Sequence, residues 1–273
     1  MGGTVRLSAA DAAGVARLVI SHPGKLNALS VAMWQQLRAI FDGLNAAAQP
    51  PRVVLLHGEG GHFVAGGDIA EFPSFRFDEQ RLRQFHEEAV APALRAMLDC
   101  DIPLVAQIDG ACVGGGLEIA ACCDLRICGR SSRFGIPIAR LGFPLAPSEA
   151  VIVERVLGPT LLRELLIEAR LLGADEALAR GIVSRVVADA AVAAEAEGTA
   201  ARIATLSPQA QRLNKRTLRQ LAQGGPSPVQ RHEHFAYADS AEHREGLAAF
   251  VEKRAGRFST KAARPSRCSA ESA

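Results

Sequence analysis

The sequence predicts an α/β chain, with strands and helices alternating to about residue 195 and helices alone thereafter. Three observations carry this. Short apolar runs bounded by turn residues read as buried strands. Segments between them place apolar side chains at helical spacing. Two of the strands run into glycine-rich loops that open helices, a layout of mixed strand-and-helix cores.

"VARLVI" (15–20) is the first predicted strand, followed by the turn "SHPGKLNALS". Ser30 is the expected N-cap of the next helix, where Met33, Leu37, Ile40, Phe41 and Leu44 recur on one face. "RVVLL" (52–56) is a second strand and runs into a loop with five glycines between Gly58 and Gly67. "EFPSFRFDEQ" mixes proline and aromatics without a period and reads as a mobile surface loop. A helix is expected over 79–99, then strands at "PLVAQID" (103–109) and "CDLRIC" (123–128). Beyond 145 helices dominate, apart from a short strand at "IVSRVV" (182–187). The expected organisation is a core over 1–195, a helical part over 196–258 and a disordered polar tail over 259–273.

The chain has 273 residues, 48% of them apolar and 22% charged, with a net charge of +2. So small a charge gives no reason to expect a nucleic-acid partner. No run is long enough to span a bilayer, and the N-terminus lacks the layout of a signal peptide. None of the six cysteines (Cys100, Cys112, Cys122, Cys123, Cys128, Cys268) forms a C-x-x-C pair, and no histidine cluster accompanies them. They read as small buried hydrophobes of a cytoplasmic protein, with no metal site.

The chemistry-bearing residues lie in the two glycine loops. In "VVLLHGEGGHFVAGGDI", Gly66 and Gly67 precede Asp68; in "LVAQIDGACVGGGLEIA", Gly114, Gly115 and Gly116 lead into a helix. Glycine lets a backbone approach a ligand closely, and the unpaired N–H groups of a helix start carry partial positive charge. Two such loops converging would hold a developing oxyanion, one donor being worth about 2.7–4 kcal/mol in a transition state. Packing alone is the competing reason for the glycines. Glu118 follows Gly115 by three residues, so on a helix its carboxylate leans back over the glycine turn. Its apolar neighbours argue against a plain surface position. An apolar pocket would raise its pKa, and the helix start would lower it. "GACVG" (110–114) also fits a cysteine nucleophile elbow centred on Cys112, although the histidines that would complete it (His232, His234, His243) fall in a helical pattern.

With both loops in hand, residues 10–258 resemble the enoyl-CoA hydratase/isomerase (crotonase) family. The matching stretches are "KLNALS", "FVAGGDIAEF", "IDGACVGGGLEIAACCDLRI", "FGIPIARLG", "LLGADEALARGIVSRVV" and "EGLAAFVEKRAGRF". The resemblance implies a crotonase-type spiral of ββα units, a helical C-terminal trimerisation region, and a homotrimer or dimer of trimers. It implies acyl-CoA thioester substrates and no cofactor beyond the coenzyme A that the substrate carries. The oxyanion donors it implies are the amides of Gly67 and Gly115, flanked by Ala65 and Gly114. Lys25, Leu26 and Ala28 fall where the family meets the nucleotide of CoA. Asp68, Ile69 and Ala70 continue the thioester-side loop, and Phe250 and Lys253 match a C-terminal segment that contacts CoA or a neighbouring subunit.

Glu118 matches one of the two glutamates that activate water in the hydratases. The other belongs in "FGxPE", which here reads "FGIPI" and places Ile138 at that position. Isoleucine can neither accept a proton nor orient water, and losing such a group costs about 10²–10⁴-fold in rate. Glu149 is a candidate replacement, with Glu71 and Asp68 as more distant ones. The expectation is reversible hydration of a 2-enoyl-CoA, the alternatives being isomerisation, decarboxylation or thioester hydrolysis on the same scaffold, or acyl-CoA binding without catalysis.

Overall fold

The computed structural model describes residues 2–258; the tail expected over 259–273 lies outside them. Nine strands form two sheets. The larger has the order β1-β2-β3-β4-β6-β9 and the smaller β5-β7-β8. The strands are β1 (Thr4–Leu7), β2 (Val15–Ser21), β3 (Val53–Gly58), β4 (Leu104–Ile108), β5 (Ala111–Val113), β6 (Leu125–Gly129), β7 (Arg133–Gly135), β8 (Leu172–Gly173) and β9 (Arg185–Val187). From β2 to β9 the larger sheet is parallel, and only β1 runs against it. Such a sheet is buried on both faces, which is why its strands read as continuous apolar runs.

The chain alternates between the sheets. β4 lies in the larger and β5 in the smaller before α4 (Gly115–Ala121); β6 and β7 repeat the step before α5 (Pro147–Ile167). Val64, just after β3, bridges Cys112 in parallel and so begins the same step one turn earlier. This is the spiral of repeated units, although no period is visible in the sequence.

The elements follow their local chemistry. α1 (Val31–Ala46) starts at Ser30, whose side chain accepts the Met33 N–H as expected. It buries Met33, Trp34, Leu37, Phe41 and Leu44. The helix expected over 79–99 is three pieces: α2 (Glu79–Gln84), a widened π-turn at Phe85–Val90, and α3 (Ala91–Leu98). α6 (Ala174–Ala179) follows β8, and α7 (Val192–Ala204) packs Ala196, Ala200 and Ala204 on Val15, Val53, Leu55, Val105 and Ile127 of the larger sheet. The expected boundary at residue 195 therefore falls inside a helix docked on the core. Three further helices, α8 (Pro208–Leu221), α9 (Pro228–Glu233) and α10 (Ala241–Val251), make the helical C-terminal region.

One expectation is met only in part. "EFPSFRFDEQ" is no plain surface loop: Ile69–Ser74 is a 3-10 turn capped by Asp68, and α2 begins at Glu79. Phe72 and Phe75 pack edge to face, and Phe75 stacks on Phe85. A cluster this short leaves no period to read.

Candidate active site

The two glycine loops meet. Val64 N–H donates to Ala111 C=O at 2.9 Å, and Val113 N–H returns to Val64 C=O at 2.9 Å. Gly66 and Gly114 both need positive φ, at 100° and 53°; a Cβ on Gly114 would lie 3.4 Å from the Gly66 Cα. Neither the Gly67 nor the Gly115 N–H donates to an acceptor among the described residues. Gly115 opens α4 with Gly114 at the N-cap, so its amide is one that a helix cannot satisfy internally. The packing explanation of the glycines also holds: a Cβ on Gly116 would run into the Val64 carbonyl oxygen, and one on Gly67 would sit 3.1 Å from the Phe72 ring.

These amides border a cavity of about 190 Å³. Ala65, Ile69, Gly114, Ile138, Glu118 and Glu149 share its wall with Gly67 and Gly115. Glu118 is 4% and Glu149 3% exposed. The Glu118 side chain forms no hydrogen bond or ion pair among the described residues and lines the cavity. Burial, reinforced by Glu149, lifts its pKa well above the ordinary carboxyl value. Of the two opposing effects expected at this helix start, burial prevails.

Burial likewise pushes Glu149 up to about 8. Its Oε1 lies 2.6 Å from Nδ1 of His86. Burial, helped by Arg76, depresses His86 to about 4. Near neutrality the contact is therefore a hydrogen bond between a carboxylic acid and a neutral imidazole, not an ion pair. Phe85, His86 and Val90, all within the π-turn, share the cavity wall.

Sequence reasoning passed over His86 and Arg76. Arg76 lies over the rings of Phe72 at 4.0 Å and Phe143 at 3.8 Å, which meet edge to face. Its guanidinium lines the cavity, and its buried Nε has no partner among the described residues. The clue was present as an arginine amid three phenylalanines in "FPSFRF".

The remaining expected residues lie off the cavity wall. Lys25 Nζ is 2.6 Å from Asp68 Oδ2, and Asp68 Oδ1 accepts the Ala70 N–H. Leu26 has a positive φ of 47° and is exposed, whereas Ala28 is buried with its carbonyl 2.6 Å from the His22 ring. Phe250, at 84% exposure, and Lys253 lie at the end of α10. Glu71 accepts the Val31 N–H at 2.8 Å and Asp68 is held by Lys25, so neither reaches the cavity as an acid/base candidate. Cys112 is wholly buried in β5, with its thiol pushed well up by that burial, and is no nucleophile. Among the described residues no group of three or more acidic, histidine or cysteine side chains is placed to hold a metal.

Fold and site together define an α/β enzyme scaffold of the crotonase type, and comparisons with known proteins agree. The enoyl-CoA hydratase/isomerase family model matches residues 10–261. The crotonyl-CoA hydratase of Syntrophomonas wolfei is 32% identical over 253 residues, spanning 90% of this chain and 95% of its own. The short-chain-enoyl-CoA hydratase of Clostridium acetobutylicum is 28% identical, spanning 88% and 92%. The crystal structure of an enoyl-CoA hydratase/carnithine racemase from Magnetospirillum magneticum superposes with a TM-score of 0.88 at 36% identity, covering 94% of this chain and 95% of that one. This chain belongs to the enoyl-CoA hydratase/isomerase family.

Proposed function

We propose that the protein hydrates a 2-enoyl-CoA reversibly, with the thioester oxygen held on the amides of Gly67 and Gly115. The observation that carries this is the convergence of two unpartnered glycine amides and two buried carboxyls on one cavity. Negative charge moves onto the thioester oxygen when a nucleophile adds to the β-carbon, and fixed N–H dipoles stabilise it there. Hydration then needs one group to take a proton from water and one to give a proton to the α-carbon. Two coupled carboxyls with raised pKa values meet this when the pair is singly ionised, because the first charge opposes the second. Glu118 takes the proton from water. Glu149, positioned by His86, supplies the other and stands in for the acid that Ile138 replaces.

A second reading draws on Ile138 itself. Without the usual acid, the same amides and Glu118 would serve isomerisation, decarboxylation or hydrolysis of a thioester. Incubating enoyl- and acyl-CoAs in deuterated water separates these by product mass. The expected result is a hydrated product with one α-deuterium, lost in Glu118→Gln and reduced about 10²-fold or more in Glu149→Gln. Full hydration by Glu149→Gln would remove Glu149 from the mechanism, and isomerised or cleaved product would select the second reading.

The chemistry calls on no group beyond the CoA thioester. Among the described residues no helix is long and apolar enough to cross a membrane. Five buried free cysteines suit the reducing cytoplasm proposed for it. Exposed Leu218, Leu221, Val229, Phe235, Leu247 and Phe250 on and between α8 to α10 support a homotrimer or dimer of trimers built through this region.

A further inference from the structure

Arg76 transfers no proton in the reaction just described, yet it occupies the wall of the same cavity. We infer that the acyl group carries a second carboxylate, a few carbons from the thioester, which the Arg76 guanidinium receives. The inference rests on the acyl-CoA reading above and adds the substrate class to it.

A guanidinium has five N–H donors and no acceptor, and it keeps its charge in proteins. Buried arginines normally spend those donors on carbonyls or carboxylates. Arg76 is half-buried: its Nε is sealed from solvent with no partner among the described residues, and its terminal nitrogens form no hydrogen bond or ion pair with them. Glu118 and Glu149 influence it through space, but neither forms an ion pair with it. Phe72 and Phe143 fix its position from two sides and cannot accept an in-plane hydrogen bond. What remains is a planar, preoriented fork whose match is a carboxylate.

Its place limits the substrate further. The Phe72 ring lies against Gly67, and Arg76 lies against that same ring. One aromatic side chain therefore separates the guanidinium from the amide proposed to hold the thioester. A short dicarboxylic acyl chain spans such a gap, whereas a long hydrocarbon chain would press apolar carbons on an unpaired cation. Loss of a proton from either glutamate adds negative charge to the cavity, so the pair and the substrate carboxylate compete for Arg76.

The test compares thioesters of equal length that cannot react. Glutaryl-CoA, valeryl-CoA and free CoA are titrated calorimetrically into wild type, Arg76→Met and Arg76→Lys, alongside the same acyl groups on pantetheine, which has no phosphate. Wild type is expected to prefer the glutaryl group by about tenfold to a hundredfold on both carriers. Arg76→Met brings the ratio to within about threefold of unity, and Arg76→Lys lies between. Equal binding of glutaryl and valeryl thioesters by wild type overturns the inference and leaves the acyl-CoA reading standing. Binding of neither overturns both. If Arg76→Met weakens free CoA and both CoA thioesters alike but spares the pantetheine esters, Arg76 serves a phosphate and the inference fails. Should Arg76→Met not fold, the wild-type ratio on the two carriers decides alone.

Discussion

Glu149 and His86 share one proton where an ion pair would hold two charges, and this sets how the protein responds to pH. A carboxyl raised in the folded state stabilises below its unfolded pKa, and that stability is lost as pH climbs toward the folded value. A depressed histidine acts oppositely, because the unfolded chain takes up a proton that the folded one refuses. With His86 near 4 and Glu149 near 8, the two oppose each other up to about pH 6.5, and only the carboxyls act above it. Stability should fall between pH 6.5 and 8 by up to about 1.4 kcal/mol per pH unit for each carboxyl that titrates there. Glu149→Gln should flatten this slope in denaturant titrations, and an unchanged slope would sink the assignment. The same substitution removes a neighbour that raises Glu118. The acid limb of any residual activity in kcat/KM should then move to lower pH. Gly116 offers a steric counterpart. Its added methyl meets the Val64 backbone, while that of Gly115 meets the Trp34 ring edge at 2.9 Å and Leu29 at 3.2 Å. Gly116→Ala should lose more stability than Gly115→Ala, by about 1–3 kcal/mol in thermal or chemical melts. At this scale the sequence was half legible. Glu118 and its glycines declared themselves because an acid among apolar residues needs a reason. His86 and Arg76 did not, since a π-turn and an aromatic corner bring them to the cavity and neither leaves a period.

The turn Ile69–Ser74 is the element on which the site depends most. Asp68 caps it through the Ala70 N–H and anchors it through Lys25, next to the Gly67 amide. Burial alone would raise the Asp68 pKa, but the Lys25 hydrogen bond and the Ala70 amide outweigh it and hold it below the ordinary value. Asp68→Asn keeps the cap and deletes the charge. It should cost about 1–3 kcal/mol in denaturant unfolding and lower kcat/KM through a displaced Gly67, with Lys25→Met following the same trend. Stability equal to wild type would show the pair to be incidental. Strands and long helices could be read ahead because burial on both faces or on one face imprints a pattern. β1, with only four residues on the sheet edge, imprinted almost none. The 3-10 turn was hidden because its proline and aromatics serve the cavity instead of a repeating face.

Across the whole molecule, the division into an alternating core and a helical end was legible from the loss of strand signals after residue 187. The spiral was legible only through its resemblance to a family, since its repeats share geometry and not side chains. The apolar side chains that α8 to α10 leave exposed predict association. Light scattering on the purified protein should give three or six chain masses, and Leu218→Asp with Leu247→Asp should shift it toward one. A wild-type monomer would contradict the trimer. The rung between Val64 and Ala111–Val113 has a wider consequence. It sets the spacing of the Gly67 and Gly115 amides through main-chain atoms alone, so the rest of the cavity wall is free to drift in evolution without disturbing them. An acid could become Ile138, a carboxyl could arise at Glu149, and an arginine could move in at 76, each a single codon's history, while the oxygen-binding grip stayed in place. Libraries that randomise the wall and spare the rung should therefore yield altered substrate preference far more often than dead protein.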